Sequence, residues 1–213
     1  MQFHDRGHAG RLLVDRLDHY RKNPDVIVLA LPRGGVPVAF EVAKALEAPL
    51  DVFIVRKLGM PGHEEYAIGA IASGGIRVMN PEFPGNLVST AAIEAVVARE
   101  QRELERREHL YRENGPPLAL AGRIVILVDD GLATGSTMGA ATVAVQQQNP
   151  ARCVVAVPVA APEVYARFKK QVDEIVCTIT PEQFHAVGQW YKDFRQTTDD
   201  EVEALLALAQ KSI

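Results

Sequence analysis

The run Val125-Ile-Leu-Val-Asp129-Asp130-Gly-Leu-Ala133-Thr134-Gly135-Ser136-Thr137 constrains this chain more than any other stretch. Val125 to Val128 are β-branched or Leu, as in a strand buried on both faces of a parallel sheet. Two carboxylates follow side by side. A loop of small residues then leads into a predicted helix starting near Ser136. Gly131 and Gly135 let the backbone turn tightly and bring its N–H groups close to a ligand. Thr134, Ser136 and Thr137 add hydroxyls. The helix start offers unpaired N–H groups and partial positive charge.

Such a loop suits a phosphate. Asp129 and Asp130 do not, because carboxylates accept hydrogen bonds. They suit a polyol such as the vicinal hydroxyls of a ribose. Together they describe a site for a ribose 5-phosphate. The loop is not a Walker A loop, since no Lys precedes Ser136 or Thr137, and it lacks the G-x-G-x-x-G of a dinucleotide fingerprint. A response-regulator pocket would place its acids on different strands. A plain strand-to-helix turn with a Ser or Thr cap would leave the adjacent acids unexplained.

Hydrophobic-Asp-Asp-x-x-x-Thr-Gly-x-Thr after a strand resembles the phosphoribosyl pyrophosphate motif of type I phosphoribosyltransferases. The resemblance implies that Asp129 and Asp130 bind the ribose hydroxyls. It also implies that Ala133, Thr134, Gly135, Ser136 and Thr137 wrap the 5-phosphate. Enzymes of the family acting on 6-oxopurines carry an Asp just before the Thr-Gly. Here that position is Ala133, which leaves adenine-like, pyrimidine-like or unfamiliar amine acceptors.

The chain has 213 residues, 47% hydrophobic and 23% charged, enough for one large α/β domain. A net charge of -4 and a pI near 5.9 argue against a general nucleic-acid binder. No apolar run of the roughly 20 residues needed to span a membrane is present, and the N-terminus lacks a signal peptide's apolar core. Cys153 and Cys177 lie in apolar strand-like runs without metal spacing. Buried, reduced thiols are the expectation, and a cytoplasmic location with them.

Taken in order, Leu12, Leu13, Leu17 and Tyr20 predict a helix over about 6–21, with Arg6 and His8 as solvent-exposed polarity at its start. Val26–Leu31 reads as a buried strand. Pro32-Arg33-Gly34-Gly35 and a helix to about Leu46 follow. Arg33 can fork two hydrogen bonds onto phosphate oxygens. By resemblance Arg33, Gly34 and Gly35 form the pyrophosphate loop. If this first strand lies beside Val125–Asp129, the two loops meet at the sheet's switch point. Asp51–Arg56 reads as the second strand, and Arg56 to Tyr66 as a solvated loop or mobile flap. The resemblance places a flexible loop here, with Arg56 and Lys57 at its base, Lys57 serving the leaving group, and Glu65 near the acceptor.

Residues 67–72 and 76–79 suggest a hairpin-like extension, 81–85 an irregular segment, and Thr90 to about Glu113 one long helix ended by Pro116-Pro117. Its stripe of Ile93, Val97, Leu104 and Tyr111 reads as a packed seam, a dimer face or a basic lid. Later strands are expected at 153–159 and 174–179, with helices over 136–148, 162–170 and 199–209. The segment 184–194 collects Trp190 and Tyr191 with two Phe. A flat base could stack there, or the aromatics could pack on the last helix.

The expected architecture is therefore α/β, a mainly parallel central sheet flanked by helices. It is one phosphoribosyltransferase-like domain over 1–213, with a small hood near 67–88 and 180–196 and a flexible loop. The implied activity is phosphoribosyl transfer from phosphoribosyl pyrophosphate to a nitrogen acceptor, releasing pyrophosphate. Magnesium (Mg2+) would be carried on that substrate and no residue is assigned as a metal ligand. A homodimer is a further expectation of the resemblance. Two rivals are a non-catalytic regulator that binds the same ligand, favoured by the Arg-rich stretch 99–112, and a synthetase-like enzyme, for which the chain is short and shows no ATP loop.

Overall fold

The computed structural model describes residues 1–80, 83–84, 88–112 and 118–211. In chain order its elements are α1 (Arg6–Val14), β1 (Val26–Ala30), α2 (Gly35–Leu46), β2 (Leu50–Val52), β3 (Val55–Met60), β4 (His63–Ala72), β5 (Ile76–Met79), α3 (Thr90–Arg112), β6 (Ile124–Val128), α4 (Ser136–Gln146), β7 (Arg152–Val159), α5 (Pro162–Phe168), β8 (Glu174–Ile179) and α6 (Asp199–Gln210). Short 3-10 turns lie at Asp18–Tyr20 and Val187–Trp190.

Five strands form a parallel sheet in the order β2-β1-β6-β7-β8. Side chains alternate across a strand, so an unbroken apolar run is stable only when both faces are covered. Val26, Val28 and Ala30 face the cluster completed by α1, α2, α3 and α6. Ile27, Leu29 and Leu31 face the cluster completed by α4 and α5. Every residue of β1 is buried, as are Val125 to Val128 of β6. The fold is α/β with a mainly parallel sheet flanked by helices, as expected.

The chain moves from β1 outward to β2 and then returns to the opposite side of β1 as β6. The switch point therefore lies between β1 and β6. Their register pairs Ala30 with Val128, and the Leu31 N–H donates to the Val128 carbonyl at 2.9 Å. The loops that follow β1 and β6 therefore leave the sheet as immediate neighbours.

Three expectations need correction. The second strand ends at Val52, and Val55 begins a separate antiparallel sheet in the order β3-β4-β5. The segment 56–66, read as a flap or solvated loop, is mostly a β-hairpin turning at Pro61-Gly62, where Gly62 has φ +79°. The reason is that Leu58, Ile68 and Ile71 bury one side of it in the main cluster, while charged residues occupy the exposed side. The first helix stops at Val14 rather than near Arg21.

The long helix keeps its predicted start, and Val97, Leu104 and Tyr111 of its stripe are buried within the chain. Arg107 pairs with Glu103 at 2.8 Å, whereas Arg112 reaches Asp51 at 3.1 Å. Glu113, Pro116 and Pro117 lie outside the described residues, as do Pro81, Glu82 and 85–87.

Candidate functional site

Gly34 and Gly35 are where the two loops touch. A Cβ on Gly34 would collide with the carboxylate of Asp130, and a Cβ on Gly35 would lie 2.7 Å from the Val128 carbonyl oxygen and 3.3 Å from Asp129 Oδ1. Only a residue without a side chain permits this approach. The peptide joining Pro32 to Arg33 is cis. Arg33 extends the other way, its NH1 3.6 Å from Oδ1 of Asp199 at the start of α6. Asp199 also accepts a 2.5 Å hydrogen bond from the Tyr111 hydroxyl.

The acidic pair is more enclosed than its place in a loop suggests. Asp129 Oδ1 accepts from the Asp130 N–H at 2.8 Å. Burial raises the Asp129 carboxyl well above the ordinary carboxylate range, and the adjacent Asp130 charge adds to it. Burial also raises Asp130, against the opposing pull of Arg6. Arg6 Nε donates to Asp130 Oδ2 at 2.8 Å, and both side chains are largely enclosed, at 11% and 15% exposure. Arg6 NH1 donates to the Arg195 carbonyl at 2.8 Å, and its guanidinium lies 4.0 Å from the centre of the Phe194 ring. The expectation of an exposed, incidental Arg6 is thereby overturned.

Downstream, Gly135 turns in the left-handed region at φ +70°. A side chain there would meet Phe168 at 2.7 Å and the Arg167 guanidinium at 2.9 Å. Arg167 donates to the Thr134 carbonyl and so holds the loop from α5. Thr134 and Ser136 hydroxyls lie 3.1 Å apart. Ala133, Thr134, Ser136 and Thr137 are exposed, with the helix start of α4 behind them.

Gly135, Ser136 and Thr137 form one wall of a cavity of about 650 Å³, which Lys57 borders from the facing hairpin. Lys57 Nζ donates to the Glu65 carbonyl at 2.7 Å, while Glu65 itself is exposed on the hairpin. Arg56 is not in this group. Its Nε and NH2 both donate to Glu100 Oε2, at 3.0 and 2.7 Å, tying the hairpin to α3.

Trp190 and Tyr191 serve the frame. Tyr191 is buried, stacks near Phe3 and Phe194, and donates its hydroxyl to the Asp130 carbonyl at 2.6 Å. It has no open face for a base. The Trp190 carbonyl accepts from the Phe3 N–H at 2.7 Å, and its ring is partly buried beside Phe3 and Val159. Arg6 and Arg167 are the two site residues that sequence reasoning missed. Each acts through a contact distant in the chain, and no local pattern marks it.

Among the described residues no group of three or more His, Cys, Asp or Glu could hold a metal ion. Nor is any described helix long and apolar enough to cross a membrane. Cys153 and Cys177 are free and buried, their thiols pushed up to about 12 by burial.

Comparison with known proteins agrees with this geometry. Two curated proteins of Mycobacterium tuberculosis are 48% identical over 210 residues, covering 98% of this chain and 47% of theirs. One is named "Putative phosphoribosyl transferase Rv0571c" (strain H37Rv). The chain thus spans about half the length of the curated relatives it matches. The crystal structure of TT1426 from Thermus thermophilus superposes with a TM-score of 0.84 at 46% identity, covering 97% of this chain and 98% of that one. Residues 7–194 match the family described as the phosphoribosyl transferase domain. With nearly the whole chain inside that match, and with the acidic pair and Thr-Gly loop in place, the chain belongs to the phosphoribosyl transferase domain family.

Proposed function

We propose that the chain is a phosphoribosyl pyrophosphate-dependent pentosyltransferase, moving ribose 5-phosphate to a nitrogen acceptor. The observation that supports this reading is the contact of Gly34 with Asp130, which sets the two loops side by side. The 5-phosphate would sit on the backbone of residues 133–137 and the hydroxyls of Thr134, Ser136 and Thr137. Asp129 and Asp130 would take the ribose hydroxyls. The pyrophosphate would lie on the backbone of Gly34 and Gly35.

In the reaction the bond from ribose C1 to the pyrophosphate oxygen breaks and a bond from C1 to the acceptor nitrogen forms. The pyrophosphate leaves with the bonding pair, and the acceptor nitrogen gives up its proton. Charge separates at C1, so stabilising the leaving group matters most. Arg33 and Lys57 are the cations proposed for that role. For either to meet the pyrophosphate, Arg33 must leave Asp199 and Lys57 must leave the Glu65 carbonyl. Magnesium would arrive on the substrate's oxygens and neutralise part of their charge. Closure of the β3–β4 hairpin would keep water, a competing acceptor, out.

Ala133 offers no proton acceptor, which weighs against 6-oxopurines. The hood would comprise β4–β5 and the segment 180–196, with the acceptor beneath it. The test is a pyrophosphate-release screen, with magnesium phosphoribosyl pyrophosphate and a panel of nucleobases and small amines. Release with at least one acceptor is expected. Asp130→Asn should weaken ligand binding by roughly 1.5–3 kcal/mol, the worth of hydrogen bonds to a charged group. Tight binding of the ligand with no release across the panel would favour the regulatory reading. Absence of binding would remove both.

A further inference from the structure

Arg6 presents a problem that the proposed reaction does not explain. Nothing in that reaction asks for a third cation, yet this one is buried against the sugar-binding acid. Its Nε is on Asp130 Oδ2, its NH1 on the Arg195 carbonyl, and one face of its guanidinium on Phe194. The same Nε would lie 3.3 Å from a Cβ on Gly34. Arg6 therefore stands at the seam between the two loops, anchored from α1 and from the segment after Trp190.

The groups facing Asp130 are few. Asp129 adjoins it, Arg6 meets it from α1, the Gly34 backbone closes on it, and the Tyr191 hydroxyl donates to its main-chain carbonyl. Of these, Arg6 alone is a cation. Among the described residues Arg6 is the side chain that donates to the Asp130 carboxylate, on Oδ2, and the Asp130 backbone N–H adds to the hold. A carboxylate fixed in this way can still accept from a sugar hydroxyl, since its two oxygens carry about four acceptor sites.

We propose that Arg6 is a positioning residue. It keeps Asp130 ionised and turns its carboxylate toward the ribose hydroxyls of the substrate. The inference rests on the phosphoribosyl reading above and assigns Arg6 no contact with the reacting atoms. Two adjacent carboxylates in a poorly hydrated pocket repel each other, and one takes up a proton unless a cation faces it. A protonated Asp130 would present one acceptor oxygen fewer. Burial already draws both acids upward; Arg6 is the main opposing influence on Asp130, whereas on Asp129 the Asp130 backbone N–H opposes more than Arg6 does.

The experiment compares the intact chain with Arg6→Gln and Arg6→Lys. Calorimetric titrations with ribose 5-phosphate and, separately, with magnesium pyrophosphate are run from pH 5.5 to 9. Carboxyl-carbon NMR follows Asp130 over the same range. In Arg6→Gln, ribose 5-phosphate should bind about ten-fold more weakly at neutral pH, the effect of one pKa unit, and recover as pH rises. Pyrophosphate affinity should not change. The Asp130 carboxyl should titrate at higher pH than in the parent, and Arg6→Lys should restore most of both effects.

An unmoved Asp130 titration in both variants would overturn the proposal. So would a loss of ribose 5-phosphate affinity equal at every pH and shared by pyrophosphate, which is the signature of damaged packing. Failure of the underlying reading looks different. The unaltered chain would then bind neither ligand, while the carboxyl titration would still report whether Arg6 governs Asp130.

Discussion

At the residue scale, the site is defined by what cannot be larger. Gly34→Ala would drive a methyl group into the Asp130 carboxylate. The loop must then withdraw, at a cost of about 1–3 kcal/mol for overpacking. Ligand affinity should fall by ten-fold or more while the fold persists, which calorimetry and circular dichroism together can read. Asp129 makes the opposite case. Its native pKa is raised by burial, so the folded state holds that proton more tightly than the unfolded one. The associated stability is present below the unfolded value near pH 4 and is lost as pH rises through the native value. Asp129→Asn should therefore raise the melting temperature at pH 8, by about 2–4 °C per kcal/mol for a chain of this size. The gain should shrink toward pH 4 as ligand binding is lost throughout. A gain equal at both pH values would contradict the burial argument. The acids and glycines were legible in the sequence because their spacing is local. Arg6 was not, since its partner lies 124 positions away and helix periodicity says nothing of what a first-turn side chain will meet.

At the element scale, Glu100 is the anchor of the β3–β4 hairpin. Glu100 is buried on α3 and takes Arg56 on one oxygen and Arg99 on the other. Arg56→Ala would leave that charge short of a partner, and chemical denaturation should show a loss of roughly 1–3 kcal/mol. The double variant Arg56→Met with Glu100→Leu should regain most of it, because two apolar side chains can fill the same space. A double variant as unstable as the single would mean that the pair contributes more than its burial costs. The hairpin reads as a loop in sequence because Gly59, Pro61, Gly62 and a run of charges are ordinary loop signals. What decides the matter is the buried side of the ribbon, Leu58 and Ile68 on the main cluster, and that depends on where the ribbon docks. Similarly, the aromatics of 184–194 are open to two readings from composition. The structure places Tyr191 and Phe194 around Arg6 and the Asp130 backbone instead of on an open face.

At the scale of the whole molecule, the strand order is implied by sequence only conditionally. Two apolar runs, each ending in a glycine-bearing loop, make a site only if they are neighbours, and the β1–β6 register makes them so. Amide hydrogen exchange should follow that layout. Protection is expected to be greatest in β1, β6 and β7, where strands are paired on both sides, and least in the hairpin tip 61–66. Faster exchange in β6 than in the marginal strands β2 and β8 would contradict it. The placement of β1 and β6 away from the margins has an evolutionary reading. Wear at the outer strands, or remodelling of the rim proposed to receive an acceptor, leaves the paired backbone of β1 and β6 undisturbed. On the proposed reading a lineage could try new acceptors at that rim, since the ribose and 5-phosphate contacts proposed for it lie on the loops of the paired strands, with Lys57 the one donor contact on the hairpin.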